Sequence, residues 1–281
     1  MDVSIVTVTW NSAQFIQEQL RSVLASEGVS LEVFVVDNAS SDTTVADVTR
    51  MFPQVVLIKN DANRGFAAAN NQAIARATGR YVVLLNPDMR VQTDTMARMV
   101  AHMDAQPEIG VLGPHLIDAQ GVTMPHVRRF PRVSDQAALL LKIPHLFPAV
   151  LNGYLRTDFD YTQDAYVDSV RGSCFMIRRE TLEKLGGLDE RYFIWFEEVD
   201  YCKQVIAAGW KVAYTAAATC VDYVGRSFAL VSGYRKQRYF TTSMVKYFRK
   251  WHPGWRSWII TGLRPVALGA AWFAEKLRSH V

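Results

Sequence analysis

Hydrophobic positions along this chain follow two alternating rhythms. Residues 3 to 10, 31 to 37, 55 to 59, 81 to 86 and 109 to 113 are short apolar runs rich in Val, Ile, Leu and Phe, the pattern of strands buried on both faces. Between them the spacing is helical. In SAQFIQEQLRSVLAS, Phe15, Ile16, Leu20, Val23 and Leu24 share one face, and GFAAANNQAIARATG reads as an alanine-rich helix closed by Gly79 as its C-cap. This alternation through residue 113 predicts right-handed βα units, a mostly parallel sheet of Rossmann-like α/β class, and ligands at the strands' carboxyl ends.

After Pro114 the rhythm breaks. The stretch GPHLIDAQGVTMPHVRRFPRVSDQAALLLKIPHLFP is expected to run over the surface, followed by strand-like YVDSVRGSCFMIRRE, a turn at LGGLDE, a helix from about Glu197 to Ala208 and the strand WKVAYT. With 281 residues, 49% of them hydrophobic, the chain can bury a full core. Cys174, Cys202 and Cys220 have no metal-type spacing and read as buried thiols of a reducing compartment. Met1 leads directly into a strand-like run without a basic or apolar leader, so a cytoplasmic location is expected.

Charge separates the tail from the body. From Arg226 onward, eleven Lys or Arg stand against the single Glu275, in a chain whose net charge is only +4. Phe240, Met244, Tyr247, Phe248 and Trp251 fall at helical spacing among these basic residues. Such a helix suits an anionic membrane interface, or it caps the body. The later stretch WIITGLRPVALGAAWFA contains Arg264 and Pro265 and does not read as a membrane span. No recognised motif points to nucleic acid.

Several polar groups stand where strands end. Asp37 and Asn38 in VFVVDNASSD are turn formers, or they hydrogen-bond a base or ribose, while SSD opens the next helix as a cap. In NDANRGF, a helix N-terminus beside Arg64 and Gly65 suits a phosphate, or the glycine makes an ordinary left-handed turn. Asn86, Pro87 and Asp88 form a turn signal that also delivers a carboxylate at the carboxyl end of a buried strand. Neither GxGxxG after the first strand nor GxxxxGK[ST] occurs, which excludes the common dinucleotide and P-loop fingerprints. Glu197, Glu198 and Asp200 lie among Phe193, Trp195 and Phe196: either a solvated helix face, or carboxylates whose desolvation suits a general base.

Taken in order, SIVTVTWN, VVDNASSD, NRGFAAANN, LLNPD, VRGSCFMIRRE, GGLDERYFIWFEEVDYCKQVIAAGW and GRS resemble the inverting glycosyltransferases of family 2, which have the GT-A fold. Within the family the chain is most similar to rhamnosyltransferase-like bacterial enzymes of cell-surface polysaccharide and O-antigen synthesis. The resemblance implies that Asp88, with Asn86 beside it, replaces a DxD motif and binds Mg²⁺ or Mn²⁺ bridging the donor's pyrophosphate. It assigns Asp37 and Asn38 to the nucleotide's base and ribose, Thr9 and Asn11 to the same pocket, and Arg64 and Gly65 to the loop beside the donor.

Glu198 matches the catalytic base, one methylene longer than the usual aspartate, with Glu197 orienting the helix or an acceptor hydroxyl. Arg171, Gly172 and Ser173 match contacts near the junction of donor and acceptor. Asp222 stands where many relatives have a histidine and becomes a second metal ligand, with Arg226 nearby. The implied layout is a catalytic domain over 1–227, divided into a donor half (1–115) and an acceptor half (116–227), and a basic extension over 228–281. The implied partners are a nucleotide-diphospho-sugar, with dTDP-rhamnose as the suggested donor, a glycan or lipid-linked acceptor, and a membrane surface met by the tail. A non-catalytic nucleotide-sugar-binding subunit is the alternative that the departures at Glu198 and Asp222 leave open.

Overall fold

The computed structural model describes residues 1–223 and 231–278. Its first half is built as the alternation dictates: β1 (Val3–Thr9), α1 (Ala13–Leu24), β2 (Leu31–Asp37), α2 (Thr44–Met51), β3 (Val56–Lys59), α3 (Phe66–Ile74) and β4 (Tyr81–Leu85). A short β5 (Met89–Val91), α4 (Thr95–Ala105) and β6 (Ile109–Ile117) follow. Next come α5 (Val133–Leu140), two 3₁₀ turns (Ile143–His145 and Pro148–Leu151), α6 (Asn152–Leu155) and β7 (Ala165–Tyr166). The remainder is β8 (Cys174–Arg178), α7 (Arg179–Leu185), α8 (Glu197–Ala207), β9 (Lys211–Asp222), α9 (Gly233–Trp251) and α10 (Trp255–Arg278).

The strands form one sheet in the order β3-β2-β1-β4-β8-β6-β9-β5, with β7 also on β9. Six strands run in one direction; β5, β7 and β8 run against them. Both faces are covered, which explains the unbroken apolar runs. Along β4, Tyr81, Val83 and Leu85 pack on the face bearing Ile16, Leu20 and Met99, while Val82 and Leu84 pack on the face bearing Ala69, Ala73 and Val205. All three cysteines are buried free thiols.

Three expectations change. Gly79 is not a helix cap, since α3 ends at Ile74. It lies against β1, where a Cβ would sit 2.6 Å from the Ser4 nitrogen, and its N–H donates to Ser4 Oγ at 2.8 Å. The stretch after Pro114 is not wholly superficial. β6 continues through a register shift at Pro114 to Ile117, His126 and Val127 are buried, and α5 packs on α10.

The tail's first helix turns its apolar face inward. Met244, Tyr247 and Phe248 are fully buried with Tyr192, Phe196 and Leu140, and Phe240 and Trp251 pack at the edge of that cluster. The interfacial face expected on residues 234–251 is therefore covered by the body. Among the described residues, no helix is long and apolar enough to cross a membrane.

Candidate active site

The carboxyl ends of β1, β2 and β4 open into a cavity of about 260 Å³, closed on the other side by the start of α8. Thr9, Asn38, Gly65, Asn86, Asp88, Arg171, Gly172, Ser173, Glu197, Glu198 and Asp222 all line it. Asn11, Asp37 and Arg64 do not, and Arg226 falls outside the described residues.

Strand register explains the first cluster. Parallel pairing sets Thr9 opposite Asp37, so the Thr9 hydroxyl donates to Asp37 Oδ1 at 2.9 Å. Ser40 donates its N–H to Asp37 Oδ2 at 2.9 Å and its hydroxyl to Oδ1. Asp37 is thus a buried brace between two strand ends. Asn11, in the left-handed region at φ 51°, accepts from the Ser41 N–H at 2.8 Å and ties the same loops together. The N-cap of α2 is Thr43, one residue past SSD and without a side-chain cap bond; Asp42 instead accepts from the N–H groups of Thr44 and Ala13, the first residues of α2 and α1, at 3.0 and 3.1 Å.

Asn38 links the pocket to α3. Its Nδ2 donates to the Gly65 carbonyl at 3.2 Å, and its Oδ1 accepts from Asn60 Nδ2 at 3.0 Å. Gly65 has φ 86°, and a Cβ there would lie 2.5 Å from the Phe193 carbonyl oxygen. That carbonyl accepts from the Phe66 N–H at 2.7 Å. The first turn of α3 thus already uses a donor on protein, and Arg64 is exposed outside the cavity.

Asn86-Pro87-Asp88 proves to be both a turn and a delivery point. Proline lacks an N–H and cannot extend the ladder; the Met89 N–H closes the turn on the Asn86 carbonyl at 3.2 Å. Asp88 is buried at the cavity wall, and its carbonyl accepts from the Tyr223 N–H at 3.1 Å. Because β5 pairs antiparallel with β9, Met89 faces Asp222, and the buried Asp88 and Asp222 both line the cavity. Arg171 Nη1 lies 3.1 Å from Asp222 Oδ2.

The acidic pair opens α8. Trp195 and Phe196, at φ 65° and 72°, precede it in the left-handed region, which costs on the order of 1–3 kcal/mol per residue for side chains of this size. That bend places Glu197 and Glu198 in the first turn of the helix. Burial pushes Glu197 well above the ordinary carboxylate range, and the neighbouring Glu198 charge adds to it. Burial likewise raises Glu198, opposed by backbone N–H groups at the helix start and by Arg171. Among the described residues, the Oε2 atoms of both have no hydrogen-bond partner. A Cβ on Gly172 would lie 3.3 Å from Glu198 Cβ, so glycine there leaves Glu198 its place.

Asp200, the third acid of the motif, does something else. It is fully buried and accepts from Lys250 Nζ at 2.7 Å, Trp251 Nε1 at 2.6 Å and Gln204 Nε2 at 2.8 Å. Lys250 also reaches Asp189 at 3.0 Å, Ser243 donates to the Ile194 carbonyl at 2.8 Å, and Lys246 donates to the Arg191 carbonyl. Helix α9 therefore holds the loop from Asp189 to Phe196 that presents the acidic pair. Trp10, Ser12, Phe66 and Ile194 also line the cavity without having stood out in the sequence; Trp10, an aromatic ending an apolar strand next to a turn, carried the one usable signal.

Among the described residues no group of three or more His, Cys, Asp or Glu is gathered for a metal ion. Asp88 and Asp222 offer hard oxygen ligands of the kind Mg²⁺ and Mn²⁺ prefer, in a number that suits a cation completed by phosphate oxygens.

The fold has solved counterparts. A mannosyltransferase from Pyrobaculum calidifontis, solved with GDP-Man and Mn²⁺, superposes with a TM-score of 0.61 at 23% identity, over 97% of this chain and 73% of that one. The class is the GT-A fold, a mixed α/β sheet flanked by helices, here with further helices at the C-terminus. Residues 4–186 match the model for glycosyl transferase family 2, and the chain belongs to that family; the protein is a glycosyltransferase. An N-acetylglucosaminyl-diphospho-decaprenol L-rhamnosyltransferase of Mycobacterium tuberculosis is 25% identical over 234 residues, 79% of this chain and 76% of its own. The O-antigen biosynthesis protein RfbC of Myxococcus xanthus is 26% identical over 229 residues, 80% of this chain but 17% of its own.

Proposed function

We propose that this glycosyltransferase moves a sugar from a nucleotide-diphosphate donor to a lipid-linked glycan acceptor in cell-surface polysaccharide synthesis, with inversion at the anomeric carbon. The observation that carries this reading is Glu198, a desolvated carboxylate in the same cavity as the strand-end Asp88. A carboxylate held above its ordinary pKa is a stronger base, suited to taking the proton of an acceptor hydroxyl as that oxygen attacks. One in-line displacement, with the donor fixed across the cavity, inverts the centre. The acceptor in the rhamnosyltransferase relative's name, an N-acetylglucosaminyl-diphospho-decaprenol, motivates the lipid-linked acceptor, and its sugar motivates dTDP-rhamnose as the first donor to test.

In this reading Thr9 and Asn38 line the nucleotide end of the cavity, with Asp37 and Asn11 bracing their loops from behind. Arg171 and Ser173 contact the donor–acceptor junction, and Glu197 orients the helix start or an acceptor hydroxyl. Asp88, with Asp222, would hold Mg²⁺ or Mn²⁺, which when bound would offset charge on the departing diphosphate. Residues 1–115 form the donor half, 116–227 the acceptor half, and 228–281 an extension that works at the inner face of the cytoplasmic membrane.

The test is release of nucleoside diphosphate from a panel of UDP-, dTDP- and GDP-sugars with Mg²⁺, Mn²⁺ or EDTA. Release from one donor that EDTA and Asp88→Ala both abolish is the expected result. Nucleotide binding with no release from any donor, even with a polyprenyl-diphosphate-linked acceptor supplied, would instead identify a non-catalytic binding subunit.

A further inference from the structure

Helix α10 is apolar on two opposite sides. Its inner side buries Ser257, Ile260 and Ala267 against the body. Its outer side exposes a row of tryptophans and aliphatic residues, with Trp258 73% and Phe273 59% accessible. Gly262, Gly269 and Ala270 fall between them on the same exposed stripe. A helix that is apolar on opposite sides requires a second apolar medium.

A second exposed apolar element lies nearby. The tip between α5 and α6 presents Leu146 at 79% and Phe147 at 66% exposure. It continues α5, which packs on α10. Of the fifteen large hydrophobic side chains exposed among the described residues, eleven lie on the tip (141–150) or on α10. Such concentration marks an interaction surface, since single exposed apolar residues are otherwise scattered.

We infer that the outer stripe of α10 and the tip at residues 141–150 together form a docking surface for an anionic lipid bilayer. Charge and residue type favour a bilayer over a second copy of the chain. Exposed Arg256 and Lys276 stand near the two ends of the stripe, and Lys142 stands at the base of the tip. Tryptophan with flanking basic residues is the composition of the lipid headgroup boundary, whereas the cores of protein interfaces are depleted of lysine. A bilayer met at this surface would also bring a lipid-linked acceptor to the enzyme, a link that rests on the acceptor class proposed above.

The test uses the full chain in co-sedimentation with phosphatidylcholine vesicles, with and without phosphatidylglycerol. Three variants are compared: Leu146→Ser/Phe147→Ser, Trp258→Ser/Phe273→Ser and Arg256→Glu/Lys276→Glu. The wild type is expected to pellet with the anionic vesicles only. Each variant should lower the bound fraction by about tenfold or more, with diphosphate release in the absence of vesicles unchanged. Three results overturn the inference: no binding by the wild type, full binding by the tip variant, or a dimer that the α10 variant dissociates while vesicle binding persists. Vesicle binding without turnover of any donor would defeat the proposed function and leave this surface standing; turnover without vesicle binding would do the reverse.

Discussion

Glu197 and Glu198 show how a site sets stability against chemistry. Both are held above the ordinary value of 4.5, first by burial. Between that value and the raised one the native state holds protons that the unfolded chain has released, so stability falls as pH rises. Glu197→Gln removes the larger share of this penalty. Thermal unfolding should show the variant gaining on the wild type as pH climbs above 4.5; a gap that does not change with pH would contradict the burial argument. Gly172→Ala presses a methyl against Glu198 Cβ at 3.3 Å and should lower kcat about tenfold through misplacement of Glu198, the proposed base, while the melting temperature stays close to that of the wild type. At this scale the carboxylates of Asp88 and Glu198 were legible in sequence because a proline and a cluster of aromatic residues flagged them. The bracing of Asp37 by Thr9 and Ser40 was not, because it depends on a strand register that no local pattern states.

The elements that present these residues are held by contacts across long stretches of sequence. α3 begins where Gly65 lets the Phe193 carbonyl approach, and Gly65→Ala should cost about 2 kcal/mol from its positive φ and the 2.5 Å clash, read as a lower urea midpoint. α9 secures the loop before α8 through Lys250, which bridges Asp189 and Asp200. Lys250→Met leaves the fully buried Asp200 charge without its cation and should destabilise the fold by about 3 kcal/mol. An unchanged denaturation midpoint would show that Trp251 and Gln204 suffice. Strands and helices up to β4 were readable because local periodicity determines them. The inward face of α9 was not: basic residues among aromatics look alike whether the aromatics meet lipid or Tyr192 and Phe196.

Across the whole molecule, one sheet carries the strand-end polar groups to the cavity, and the C-terminal helices hold the acidic loop opposite them. The family was readable from seven motifs in order, while the convergence of six of them on one cavity of about 260 Å³ required the fold. The central claim is that Glu198 is the base in that cavity. It is tested by measuring donor binding and sugar transfer side by side for wild type and Glu198→Gln across pH. The account predicts that the variant binds the nucleotide-sugar as tightly as wild type but transfers about 10²- to 10⁴-fold more slowly, and that wild-type transfer rises with pH through a value above 4.5. Transfer by Glu198→Gln at the wild-type rate would contradict it.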